Sequence, residues 1–249
     1  MIATPAQHPN IDSAERVFVA LDTPDLVRAE TLATDLAGLV GGLKIGNEFF
    51  TALGPVGVRA VTDQVPLFLD LKFHDIPNTV AGAVRSACLV RPFMLTVHAG
   101  GGPAMLRAAA EAAHDGAAAA GVPRPLILGV TVLTSLDDND LAAVGQTGPA
   151  GDQVKRLAAL AQDCGLDGVI CSPREIAALR ALCGPDFVLT VPGIRPDWAA
   201  AGDQKRVMTP AEALAAGASY LVIGRPITGA DHPQAAARRI ADELAAGAA

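Results

Sequence analysis

The sequence has none of the short signatures that hold common cofactors. It contains no G-x-x-x-x-G-K loop for a nucleoside triphosphate and no H-E-x-x-H zinc pair. Gly100 and Gly102 begin a dinucleotide fingerprint, but Met105 stands where the third glycine belongs. The run Asp137-Asp138-Asn139-Asp140 lacks the glycine and closing glutamate of a calcium loop, and reads instead as the acidic first turn of a helix. No metal and no nicotinamide site is expected. The four cysteines, Cys88, Cys164, Cys171 and Cys183, form no C-x-x-C pair and read as small buried residues of a reducing compartment. Basic charge is also scarce, with 19 Lys and Arg against 26 Asp and Glu and a net charge of −7. That balance argues against a nucleic-acid or membrane-surface partner, so an anionic ligand would need a local basic pocket. No apolar stretch reaches the roughly 18 residues of a membrane span. Residues 1–15 contain no apolar signal core, and a cytoplasmic location is expected.

What is present is core material: 51% of the 249 residues are apolar and the mean hydropathy is +0.35. A unit recurs from Val17 onward, made of a short apolar run, a small-residue or proline break, and a longer amphipathic stretch. The runs are Val17 to Asp22, Gly42 to Gly46, Leu67 to Leu71, Phe93 to His98, Pro125 to Leu133, Gly168 to Cys171, Phe187 to Val191 and Tyr220 to Gly224. Between them, Ala29, Leu32, Ala33 and Leu36 keep helical spacing, with Thr23 expected to cap that helix and Pro24 to open it. A long helix is expected over about 150–164, and Ser172-Pro-Arg-Glu175 and Thr209-Pro-Ala-Glu212 read as capping boxes. Eight strand–helix units without a composition break predict a single α/β (β/α)₈ barrel over residues 16–245. A doubly wound sheet is the alternative, but it has fewer strands and the missing fingerprint loop. Residues 1–15 are expected to form a flexible arm and 246–249 a frayed tail.

A barrel carries its site at the C-terminal ends of its strands. Asp22, Lys44, Asp70, Lys72, His98, Thr134, Ser172, Arg195 and Arg225 all fall there. Asp70 and Lys72 lie two apart at the end of an apolar strand and so share a face. An arbitrary Asp-x-Lys is more often a salt-bridged strand end. Here the charges interrupt an apolar run, where unpaired ions are costly. Lys44, between Leu43 and Ile45, is equally hard to explain as solvated surface. Asp22 alone is an even choice between site and strand end. Ser135 reads as a cap for the acidic segment, and His98 before three glycines reads as structural. After the seventh and eighth strands, Arg195, the stretch Gly202-Asp203-Gln204-Lys205-Arg206, and Gly224-Arg225 occupy the usual phosphate corner of a barrel.

These motifs, taken together and in order, resemble the orotidine 5′-phosphate decarboxylases. The resemblance rests on Asp70-x-Lys72-x-x-Asp75-Ile76-Pro-Asn-Thr79, Val-Leu-Thr134-Ser, Gly193-Ile-Arg195-Pro, Asp203-Gln204-Lys-Arg and Ile-Gly224-Arg225-Pro, and runs from about Val17 to Leu244. It implies conversion of orotidine 5′-monophosphate to UMP and CO₂, the last step of de novo pyrimidine synthesis, with no metal or organic cofactor. It also implies that Lys72 protonates C6, that Asp70 faces the substrate carboxylate, and that Lys44 and Asp75 complete a charged network. Asp22 and Lys44 would bind the ribose, Thr134 would lie near the pyrimidine, and Arg195, Gln204, Gly224 and Arg225 would surround the phosphate. Asp75 and Thr79, with Ile76 between them, would enter the site of the neighbouring subunit in a homodimer. Two rivals remain on the residues alone. A Schiff-base or metal-dependent aldolase or synthase fits the barrel, but carboxylates beside Lys72 favour its charged form over the free amine. A non-catalytic nucleotide-binding barrel would leave the Asp-Lys-Asp cluster without a purpose.

Overall fold

A computed structural model describes residues 13–63, 65–199 and 208–247. Eight parallel strands close on themselves in sequence order: β1 Val17–Leu21, β2 Gly42–Ile45, β3 Leu67–Phe73, β4 Met94–His98, β5 Leu126–Val130, β6 Gly168–Ile170, β7 Val188–Pro192 and β8 Tyr220–Ile223. β1 pairs with both β2 and β8, which closes the barrel. Alternation then sorts the side chains. Val17, Val19, Leu21, Leu43, Ile45, Leu67, Leu69, Leu95 and Ile127 pack outward under the helices, in one continuous core. Phe18, Ala20, Phe68, Met94, Leu126, Leu128, Val188, Tyr220 and Val222 fill the inside.

The two ends of the barrel differ. Near the strand starts the Phe18 ring stacks on Phe93 at 5.8 Å and meets Tyr220 edge-on at 5.5 Å. A Cβ on Gly42 would lie 2.4 Å from the Phe18 ring, so glycine there makes room for this aromatic plug. Beneath it, the Arg180 guanidinium donates to the carbonyls of Gly184 (2.6 Å), Phe187 (2.8 Å) and Gly217 (2.7 Å), tying the starts of β7 and β8 together. With that end filled, open space is left at the other.

Several local expectations change. The first barrel helix is Leu26–Leu36 and Asp25 caps it, accepting the Arg28 N–H at 3.2 Å. Thr23 instead accepts the N–H of Asp25 at 3.2 Å, two residues too early to cap. Likewise Asp137, not Ser135, caps the helix Asp138–Ala143, in a reciprocal box with Asp140. In both places a carboxylate nearer the first turn satisfies the end N–H groups. The Thr209–Glu212 box forms as expected, at 3.2 and 2.9 Å, and opens the helix Pro210–Ala215. At Ser172 the backbone N–H donates to Glu175 at 2.7 Å, but a 3₁₀ turn over Pro173–Glu175 precedes the helix Ile176–Cys183. The long helix is Ala150–Asp163. Ser13–Arg16 forms a 3₁₀ turn, and Arg16 holds it to the barrel through the carbonyls of Ser219 (3.0 Å) and Ala218. The last helix is Pro233–Gly247.

Candidate active site

The candidate site is built where β3 stops being regular. Leu69 pairs with Leu95, but Phe73 pairs with Val97, so β3 has gained two residues on β4. Lys72 takes up the irregularity with φ +52°, a left-handed conformation that a side chain normally avoids. That geometry costs roughly 1–3 kcal/mol and persists only where the surroundings hold it. Its N–H has left the strand ladder and donates to Thr96 Oγ1 at 2.9 Å. Asp70 and Lys72 do converge, with Lys72 Nζ 2.9 Å from Asp70 Oδ2. The expectation of a shared face therefore holds, but through a bulge rather than plain strand alternation.

A chain of alternating charge runs across the barrel mouth. Lys44 Nζ lies 3.7 Å from the same Asp70 oxygen and 3.3 Å from Asp22 Oδ1. Side-chain exposure is lowest at the two inner members, 12% at Lys44 and Asp70, and higher at the two ends, 31% at Lys72 and 61% at Asp22. Asp70 Oδ1 accepts from Thr96 Oγ1 at 3.0 Å. Each oxygen of the buried carboxylate thus has a donor, which is what makes its burial tolerable.

Lys44, Asp70, Lys72 and Thr134 line a cavity of about 240 Å³ whose other walls include Val130, Val132, Leu133, Ile170 and Val222. One wall is charged and the rest is apolar, so interactions inside are screened less than at an open surface. Arg195 is buried just after β7, its N–H bonded to the Met208 carbonyl at 3.0 Å. Gly224 follows β8 directly and Arg225 is exposed beside it. Both arginines stand at neighbouring strand ends, outside the lining of that cavity. Gln204 lies outside the described residues, as do Gly202, Asp203, Lys205 and Arg206. Asp75 and Ile76 on the connection from β3, and Thr79 in the first turn of the helix Pro77–Ala87, are exposed, and none of them lines the cavity within this chain. The Asp75 carboxylate accepts its neighbour Ile76's N–H at 2.7 Å, and among the described residues no ion pair joins it to Lys72 or Lys44.

Sequence reasoning missed Thr96. Its signal was present: a hydroxyl inside the apolar run Phe93 to His98, on the face that Met94 shares. His98, two residues on, stacks against His74 with ring centroids 4.9 Å apart. Its Nδ1 accepts the Gly100 N–H at 3.3 Å. Burial first, then the nearby positive charge of His74 and Lys72, holds the His98 imidazole below its ordinary pKa of 6.5. Among the described residues no group of three His, Cys, Asp or Glu side chains is placed to hold a metal ion, and no helix is long and apolar enough to cross a membrane.

The sequence profile described as "Orotidine 5'-phosphate decarboxylase / HUMPS family" matches residues 15–240. The chain belongs to this family. Two orotidine 5'-phosphate decarboxylases, from Paramagnetospirillum magneticum and Rhodospirillum rubrum, are each 57% identical to it. Each match covers 92% of this chain, with 97% of the first relative and 93% of the second. Among solved structures, the orotidine 5'-phosphate decarboxylase from Lactobacillus acidophilus superposes with a TM-score of 0.79 at 36% identity, covering 92% of this chain and 98% of that one. The decarboxylase family is therefore matched through the whole barrel, from the first turn of the described chain into the last helix.

Proposed function

We infer that the chain decarboxylates orotidine 5′-monophosphate to UMP and CO₂, with Lys72 as the proton donor to C6. The observation that carries this reading is the Asp22–Lys44–Asp70–Lys72 charge chain facing an otherwise apolar cavity at the barrel mouth. In the reaction the bond from C6 to the carboxylate breaks and its electron pair stays on C6. The ring cannot delocalise that pair into its π-system, so the negative charge must be met where it forms. The Lys72 ammonium meets it, then transfers its proton to C6 and regains one from water.

Asp70 faces the substrate carboxylate in this reading. Repulsion between the two is about 1–4 kcal/mol at 4 Å for effective dielectrics of 80 to 20. Enzymes lower barriers by roughly 8–23 kcal/mol, so repulsion alone is too small. Stabilisation of the carbanion and binding energy from the distant phosphate supply the larger share. Asp22 and Lys44 hold the ribose hydroxyls and Thr134 lies beside the pyrimidine. Arg195, Gln204, Gly224 and Arg225 receive the phosphate. The protein works as a cytoplasmic homodimer, in which Asp75, Ile76 and Thr79 enter the partner's site. The exposed position of all three and the missing ion pair from Asp75 to Lys72 support that arrangement.

The deciding assay is the loss of orotidylate absorbance with purified protein in the presence of a chelator. Turnover is expected. Activity that appears only when metal is restored would favour a metal-dependent synthase, and absence of turnover under both conditions would overturn the reading.

A further inference from the structure

The reaction as read above assigns nothing to Thr96, yet this residue joins the two groups on which it depends. It is fully buried on β4 and makes two hydrogen bonds of opposite sense. Its oxygen accepts the Lys72 N–H at 2.9 Å, so its own proton is free to go to Asp70 Oδ1, 3.0 Å away. The first bond supplies the acceptor that the bulge removed from the strand ladder, and so holds Lys72 in its left-handed conformation. The second occupies one oxygen of Asp70 and leaves the other, Oδ2, to the ammonium groups of Lys72 and Lys44 at 2.9 and 3.7 Å. One hydroxyl therefore sets the backbone of the proton donor and the rotation of the carboxylate beside it. Few side chains can do both. Valine has the same shape without the donor or acceptor, and serine retains both.

Resting on the decarboxylase reading, we propose that Thr96 is the positioning residue of this site, fixing Lys72 Nζ and Asp70 Oδ2 relative to the reacting carbon without touching substrate. A positioning role predicts loss in the chemical step more than in ligand binding, because a shift of about 1 Å in a reacting group lowers rate by up to about 100-fold. Thr96→Val is expected to lower kcat about 10- to 100-fold while the dissociation constant for UMP changes less than about threefold, and Thr96→Ser is expected to stay within about threefold of wild type in both. Amide exchange at Lys72 should accelerate in the valine variant and stay slow in the serine variant. If Thr96→Val does not fold, Thr96→Cys replaces it, with similar volume and only a weak donor, and the same split is expected. Wild-type kcat in the folded valine or cysteine variant would overturn the proposal. So would a serine variant as impaired as the valine one, or a loss falling equally on UMP affinity, which marks a merely structural role. Failure of the underlying reading looks different: wild-type protein would then be inactive on orotidylate, while amide exchange at Lys72 would still report whether Thr96 holds the bulge.

Discussion

Gly46 shows how little room the charged cluster has. A Cβ at this position would stand 3.1 Å from Lys44 Nζ and 3.5 Å from Asp22 Oδ1. The backbone there is ordinary, with φ −101°, so alanine meets no conformational barrier and its whole effect falls on the ammonium. Gly46→Ala should fold normally and lower kcat/KM by about tenfold, since displacements well under 1 Å already matter to reacting geometry. Unchanged kinetics would mean that Lys44 has slack that the distances do not show. Lys72→Ala is the stricter case. Turnover should vanish while the protein stays folded and still binds UMP, and substantial residual decarboxylation by the purified variant would remove Lys72 from proton delivery. At this scale the charged members of the candidate site were legible in the sequence for one reason: an ion inside an apolar strand needs a purpose. Thr96 was not, because a hydroxyl in a strand costs little and has many ordinary uses. The helix caps failed for the reverse reason. Thr23 and Ser135 are good capping residues, but Asp25 and Asp137 compete from positions closer to the first turn.

Two elements end in the stacked pair of His74, just beyond β3, and His98 at the end of β4. Such a contact joins the strand that carries Lys72 to the strand that carries Thr96. It also has a pH dependence whose sign follows from burial. His98 protonates less readily in the folded protein than in the unfolded chain, whose value is near 6.5. As pH falls through 6.5 the unfolded chain takes up a proton that the folded protein refuses, and stability declines until the lower folded value is reached. Above 6.5 both states are neutral at this position and the contribution is complete. His98→Asn can retain the bond to the Gly100 N–H but has no such proton to exchange. Its stability should therefore fall less steeply than wild type in that window, as followed by urea unfolding at several pH values. Parallel slopes would remove His98 from the acid response. The ends of β7 and β8 make a separate prediction. Arg225→Ala should damage kcat/KM for the phosphorylated substrate severely and barely alter the poor turnover of the bare nucleoside, because a charge-assisted contact is worth roughly 1.5–3 kcal/mol. Equal losses on both substrates would place Arg225 in the fold or in the chemistry. The strands themselves were legible as short apolar runs and from the count of units. The bulge in β3 was not, since its cause is a hydrogen bond to a side chain on the next strand.

At the scale of the molecule, the fold presents Asp75 outward. Ile76 precedes Pro77 and is extended, with ψ 153°, just before the helix Pro77–Ala87 begins. Ile76, directly after the Asp75 carboxylate, is 67% exposed. Both features fit a segment that completes a neighbour's site, and the sequence alone did not exclude a tight turn in cis. Subunit mixing separates the two. Lys72→Ala and Asp75→Ala are prepared separately, each expected to be nearly inactive, and then combined under conditions that exchange subunits. If Asp75 acts in trans, a mixed dimer has one site lacking both groups and one site with both intact. Equal random mixing makes half of the dimers mixed, so about a quarter of wild-type activity should return. If Asp75 acts in cis, every site in every dimer lacks one group. A mixture shown to exchange subunits, yet still inactive, would end the shared-site reading and return Asp75 to its own subunit.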